Sequence, residues 1–489
     1  MITCFVPQDP KANLIYNETK DGIEKKNYQK SKDTFFIAPG EGKIPTNFAR
    51  QKNVEPTTFP HLFPDGKGHF DDKRDKVISL VSYIMVKLMH ENPMFREDEE
   101  WIFLMHQIKT RLMLESNINV SLRKGALETG PDGTKILKNF DDALSIFQNI
   151  VGSPAYWKKY RNEILAMIEN LGNFTFFFTL SSAESYWPEV LIQVLRERGH
   201  HIEFLQEEWD YSYETVTVDG QLLSEFKKNI TNMSKFLQPH YVTIVRMFDR
   251  RVKSFMNRIL KHLPVQHYTW RVEFQSRGMP HIHGLFWIPK KDLEPYETES
   301  GEFDPEKVSE LADAWISCSL NTGDKILDDL VKDRQKHNHQ RHCNRNGKCR
   351  YGFPRLPSDE TIAAMPLPDT MTEQEKKIKI ETAQGILEIV RKGLTDLGND
   401  DTDIELCDFL EGIGIDYDEY KNALKISNTG MIIILKRRVV ERNINNYNPK
   451  ILYSWRANTD IQLCLDVYSV ITYITGTRKI FYIFLHFHH

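Results

Sequence analysis

A chain of 489 residues can hold several cored domains at about 100–200 residues each, and its 40% hydrophobic, 27% charged and 11% aromatic content excludes a collagenous, coiled-coil or wholly disordered protein. The net charge of −4 hides an uneven distribution: eight Lys or Arg stand against one Asp between Val331 and Arg355, while ten acids and no Lys or Arg fall between Asp396 and Glu419, so only the first segment can attract phosphates. No apolar run reaches the roughly 18 residues of a membrane helix, the N-terminus lacks the pattern of a secretory signal, and six cysteines fit a soluble protein of a reducing compartment.

Residues 1–75, rich in Pro, Lys, Asn and Gly without a sustained period, read as an extended, loop-rich flanking region. The run from Val77 predicts a helix stopped by Pro93, and apolar residues at helical spacing predict another over Asp98–Ser116. Ser153-Pro154 is an N-cap followed by proline at the first helical position, opening a helix that ends at Gly172. Phe174–Leu180 is short, almost wholly apolar and β-prone, as a buried central strand should be. Helices are expected over Pro188–Arg198 and Tyr241–His262. Tyr268–Gln275 and His281–Ile288 are strand-like runs separated by a turn signal, hence a β-hairpin. Further on, the pattern predicts helices around Thr372–Lys392 and Asp401–Leu410, a strand at Met431–Lys436 and a helix over Asp460–Tyr473.

The hairpin concentrates the chemistry. In His281-Ile282-His283 the two imidazoles stand at i and i+2, on one face of the sheet, and Glu273 and Gln275 share a face of the partner strand. Two imidazoles with a carboxylate or amide oxygen suit a divalent metal that keeps positions open for a substrate oxygen. The choice between Glu273 and Gln275 depends on a one-residue difference in register. Separately, His337, His339, Cys343 and Cys349 form a candidate structural zinc site within the basic segment, since thiolates and imidazoles are the usual structural ligands. Lys332, Arg334, Lys336, Arg341, Arg345, Lys348, Arg350 and Arg355 offer phosphate contacts, and Tyr351 and Phe353 a stacking surface, for single-stranded DNA.

The segment RVEFQSRGMPHIHGLFWI (Arg271–Ile288) resembles the His-hydrophobic-His strand of the HUH endonucleases, in the form found in the rolling-circle replication initiator domain of Helitron transposons. Ser153–Val190, Cys349–Pro357, Asn445–Gln462 and Thr57–Phe70 resemble other stretches of that family, in the same order. The resemblance implies an α/β (α+β) fold with a central antiparallel HUH-type sheet, flanking helices, and helical and zinc-loop-like insertions. It also implies Mg²⁺ or Mn²⁺ on His281 and His283, helped by Glu273 or Gln275, and a tyrosine that nicks and joins single-stranded DNA. Tyr473 matches the family's first tyrosine, while Thr477 occupies the place of the second. The two-tyrosine strand-transfer cycle is thereby put in doubt, and the second expectation is a catalytically dead, transposon-derived single-stranded DNA-binding protein.

The expected organisation is a flanking region over 1–75, a Helitron-like Rep core over 76–290, an insertion with the basic Cys/His segment and acidic helices over 291–430, a strand and truncated tyrosine helix over 431–475, and a divergent tail over 476–489. The family normally continues into a helicase domain, whereas no phosphate loop G-x-x-x-x-G-K-S/T occurs in this sequence, so ATP hydrolysis is not expected. A DNA substrate would place the protein in the nucleus, and no membrane partner is expected.

Overall fold

The computed structural model describes residues 49, 51–123, 127–129, 135–137, 147–148, 150, 153–206, 212–274, 278–340, 343–345, 348–398 and 402–476. It is a mixed helix and sheet protein of α+β type. The chain divides into two compact units, Met1–Leu127 and Glu128–His489. Among the described residues, no helix is long and apolar enough to cross a membrane.

The first unit holds α1 (Leu80–Leu88) and α2 (Glu99–Arg123). Ser79 caps α1 by accepting the Ser82 N–H at 3.1 Å, which satisfies one of the orphan donors of a first turn. Asp98 does the same for α2, accepting from Trp101 N–H at 2.8 Å. Trp101, Met105, Tyr83, Ile84 and Phe95 are buried together with a carboxylate, Glu55. That carboxylate accepts from the Tyr83 hydroxyl and the Trp101 indole, both at 2.9 Å, and from Phe70 N–H at 2.7 Å.

In the second unit, α3 (Pro154–Leu171) starts as the sequence predicts: Ser153 accepts from Tyr156 N–H at 3.0 Å, and Gly172 ends the helix at a φ of 81°. Next come β1 (Phe176–Ser181), α4 (Pro188–Glu197), α5 (Tyr241–Ser254), β2 (His267–Phe274) and β3 (Pro280–Trp287). After α6 (Glu373–Asp396), capped by Thr372, and α7 (Pro449–Trp455), the chain forms β4 (Thr459–Leu463) and α8 (Val467–Gly476). The central sheet has the order β4-β1-β3-β2 with every neighbour antiparallel.

Two expected helices are corrected. Asp460–Tyr473 is not one helix: Thr459, Ile461 and Leu463 alternate with Asp460 and Gln462, and this period of two pairs with β1 as an edge strand, leaving helix only from Val467. Asp401–Leu410 is likewise displaced: the helix occupies Leu406–Gly412, and Thr402–Glu405 precede it as non-helical chain.

One face of the sheet supplies the main core. Phe176, Phe178, Leu180, Ile282, Phe286 and Ile461 pack there with Val190 and Val194 of α4, Phe248 and Val252 of α5, and Trp455 of α7. Gly284 interrupts this apolar face because Phe178 lies across it. A Cβ on Gly284 would fall 2.1 Å from the ring of Phe178, which itself stacks on Phe286 with centroids 4.0 Å apart. On the opposite face, Phe177 and Leu285 pack with Ile164 of α3 and with Ile471 and Ile474 of α8. Helices therefore cover only part of that second face, and polar residues occupy the rest.

Candidate functional site

The polar part of the second face is built by strand register. Across the sheet, Asp460 pairs with Thr179, Thr179 with His283, and His283 with Arg271; in the next row Ser181 pairs with His281 and His281 with Glu273. Directly opposed residues in an antiparallel sheet share a face, so all seven side chains stand on one side. The His281 and His283 rings meet edge to face with centroids 4.8 Å apart. Glu273 Oε2 lies 2.9 Å from His283 Nε2 and 3.9 Å from an Arg271 guanidinium nitrogen. Ser181 Oγ is 3.1 Å from His281 Nδ1, the kind of outer contact that fixes the orientation of a metal-ligating imidazole. His283 is buried; Phe177 stacks on it at 5.8 Å, and among the described residues its Nδ1 has no hydrogen-bond partner. Gln275 lies outside the described residues.

Helix α8 brings Tyr473 to this face. Ile471 and Ile474 anchor the helix in the apolar cluster, which leaves Tyr473, 53% exposed, at the border between packed and polar regions. Its ring stands edge-on to His283 at 5.5 Å and to Phe177 at 6.0 Å. Burial raises its pKa above that of a free phenol; the charges of Glu273 and Asp460 raise it further, and Arg271 opposes them. Thr477 lies outside the described residues.

Asp460 belongs to the same surface although the helical reading of its segment concealed it. Burial pushes its carboxyl up to about 6, against the Gln462 hydrogen bond and the charge of Arg355, which pull it down. Gln462 donates to Oδ2 at 2.7 Å, while Oδ1 is buried with no hydrogen-bond partner among the described residues. Arg271, Ser181 and Asp460 have no motif of their own, and only the strand register could have revealed them.

The basic segment does not form one uniform surface. Lys332 is exposed, and Lys336 is half-buried where it bridges to Ile444. The Arg334 guanidinium lies 3.5 Å from the centre of the Tyr186 ring, and Lys348 is ion-paired to Glu388 at 2.9 Å. Arg350 covers Tyr351 at 4.5 Å, and Arg355 covers Phe353 at 4.9 Å. Arg341 and the side chain of Arg345 lie outside the described residues.

Among the described residues, the group of metal-ligand atoms that converges most fully lies in this segment. One ligand atom from each of His337, His339, Cys343 and Cys349 falls within 4.8 Å of all the others, an arrangement that could hold a metal ion. Cys343 Sγ is 3.7 Å from His339 Nδ1, and Cys349 Sγ is 3.4 Å from His337 Nε2. Both cysteines are free thiols.

Compared with known proteins, residues 94–286 match the family model described as the Helitron helicase-like domain at the N-terminus. The matched stretch includes the three inner site residues Glu273, His281 and His283, and it ends before the Cys/His cluster and Tyr473. No curated protein matches the chain.

Proposed function

We propose that this chain, which carries a Helitron helicase-like N-terminal domain, is a metal-dependent tyrosine endonuclease that nicks and rejoins single-stranded DNA in rolling-circle transposition. The observation that carries the reading is the meeting of Glu273, His281, His283 and Tyr473 at one polar sheet face. Two imidazoles and a carboxylate can serve a divalent ion that keeps positions open for a substrate oxygen. Adjacent ligands on an octahedral ion with bonds of 2.0–2.1 Å stand about 3 Å apart, and Glu273 Oε2 and His283 Nε2 are 2.9 Å apart. His281, His283 and Glu273 would hold Mg²⁺ or Mn²⁺, which when bound supplies positive charge to the non-bridging oxygens of a scissile phosphate.

The remaining chemistry belongs to the chain. Tyr473 Oη attacks phosphorus; an O–P bond to tyrosine forms as the bond to the 3′ oxygen breaks, which yields a 5′-phosphotyrosine and a free 3′-OH. The phenolic proton leaves to solvent, and the departing oxygen takes one up. Rejoining runs the same exchange backwards. Anchoring of α8 by Ile471 and Ile474 holds the nucleophile beside the metal ligands, and such positioning removes much of the entropic barrier. Arg271 opposes the charges that raise the Tyr473 pKa, and so favours the phenolate.

The test is a covalent-adduct assay with labelled single-stranded DNA and Mn²⁺. A protein-linked DNA band that disappears in both His281→Ala and Tyr473→Phe is the expected result. A band that survives Tyr473→Phe refutes the nucleophile. DNA binding without any band leaves the chain a binding protein that no longer cuts.

A further inference from the structure

We propose that His337, His339, Cys343 and Cys349 bind one Zn²⁺, and that this ion braces the segment carrying Tyr351 and Arg355 against the polar face of the central sheet. The ion site stands on its own geometry; its service to a tyrosine nuclease rests on the function proposed above.

The separations are those of a tetrahedral zinc centre. With Zn–S near 2.3 Å and Zn–N near 2.0–2.1 Å, tetrahedral angles put each sulfur about 3.6 Å from each nitrogen. The two His–Cys distances, 3.4 and 3.7 Å, lie on either side of that value. Two independent His–Cys hydrogen bonds would explain each pair but not why both pairs converge within 4.8 Å. The Gln340 N–H points at Cys343 Sγ from 3.2 Å, a donor that a metal-bound thiolate can use. The two thiolates, which the sheet face lacks, select zinc over hard ions such as Mg²⁺. Four protein ligands complete the usual tetrahedral shell of a structural site, in contrast to the three protein ligands of a catalytic one.

The surroundings give such an ion a structural task. Asn344–Arg345 and Lys348–Cys349 form an antiparallel ladder two residues long, too short to be stable by itself. Within 336–355 the buried apolar side chains among the described residues are Cys343, Phe353 and Pro354, so hydrophobic burial supplies little there. Metal binding can replace a missing core, because the binding free energy becomes folding free energy. Ring contacts hold the braced segment together, and just before it Asn458, beside the start of β4, donates to the Arg334 carbonyl at 2.9 Å. His337 stacks on Phe353 at 4.5 Å and meets Tyr351 at 5.6 Å. Tyr351 is an electrostatic neighbour of Tyr473, and Arg355 of Asp460.

The full chain, expressed with zinc supplied, should contain one zinc ion per molecule. Replacement by Co²⁺ should produce the visible bands and thiolate charge transfer of a tetrahedral site. Cys343 is fully buried and its replacement can unfold the segment, so the informative variant is His339→Ala, at an exposed position. It should weaken zinc affinity at least about tenfold, the lower end of what even outer-shell changes cost at metal sites, with the far-ultraviolet circular dichroism unchanged. Removal of zinc should speed tryptic cleavage after Lys348 and Arg350.

A chain without zinc or cobalt bands overturns the site, as does unchanged affinity in His339→Ala. Cleavage that ignores zinc overturns the bracing. The adduct assay is scored separately: bound zinc without an adduct defeats the nuclease and leaves the zinc site standing, whereas an adduct from zinc-free protein at the full rate defeats the bracing alone.

Discussion

The ring of Tyr473, near the end of the described chain, stands edge-on to His283 in the middle of the central sheet, with centroids 5.5 Å apart. Nothing local in either segment requires this. It follows from β4 pairing with β1, which delivers α8 to the face that carries the histidines.

A control on the same helix separates position from chemistry. Tyr468 is 73% exposed, and no ring contact joins it to the site among the described residues, whereas Tyr473 touches His283 and Phe177. Tyr468→Phe should leave adduct formation within about twofold of the unsubstituted chain, and Tyr473→Phe should abolish it. Mass spectrometry of the DNA-linked peptide provides the check.

Asp460 makes stability depend on pH. Its carboxyl titrates at about 6 in the folded chain against an ordinary value of 3.8, so the native state binds this proton more tightly than the unfolded state does. The favourable contribution is complete below about pH 4 and is lost as pH rises through 6. In metal-free buffer, Asp460→Asn should therefore gain up to about 3 kcal/mol relative to the unsubstituted chain above pH 6, with the gain fading below pH 4. Urea unfolding from pH 4 to pH 8 measures it. The same substitution should lower the Tyr473 pKa, because the Asp460 charge helps to raise it.

Gly284 tests how tightly the two faces of the sheet are specified. Gly284→Ala drives a methyl group into the Phe178 ring, which is held by its stack on Phe286. Overpacking of this kind costs about 1–3 kcal/mol. A fall in melting temperature is expected, and an unchanged melting temperature would mean that Phe178 has room to move.

Glu55 makes a parallel case in the first unit. Glu55→Leu removes the acceptor for the Tyr83 hydroxyl, the Trp101 indole and Phe70 N–H. An orphaned buried donor costs about 1–3 kcal/mol, so amide exchange in α1 and α2 should accelerate markedly. Glu55→Gln, which keeps one oxygen acceptor, should have a smaller effect.

Much of this protein was determined locally and was therefore legible in the residues. The Ser153-Pro154 start of α3, its end at Gly172, the apolar β1 and the hairpin of β2 and β3 each rest on capping, φ preference or short-range periodicity, and these act within a few residues. The His-x-His spacing by itself put both imidazoles on one face, because side chains alternate along any strand. The two His and two Cys of the basic segment were recognisable as candidate ligands from residue type alone. Tertiary structure decided what no local rule contains. It turned Thr459–Leu463 into an edge strand, because pairing with β1 outweighed the helical pattern that continues after it. It aligned Asp460, Thr179, His283 and Arg271 in one row, and it chose where α8 packs and therefore where Tyr473 stands. Register and packing depend on residues far apart in the chain, and the free energy that selects them exists only once those residues are in contact.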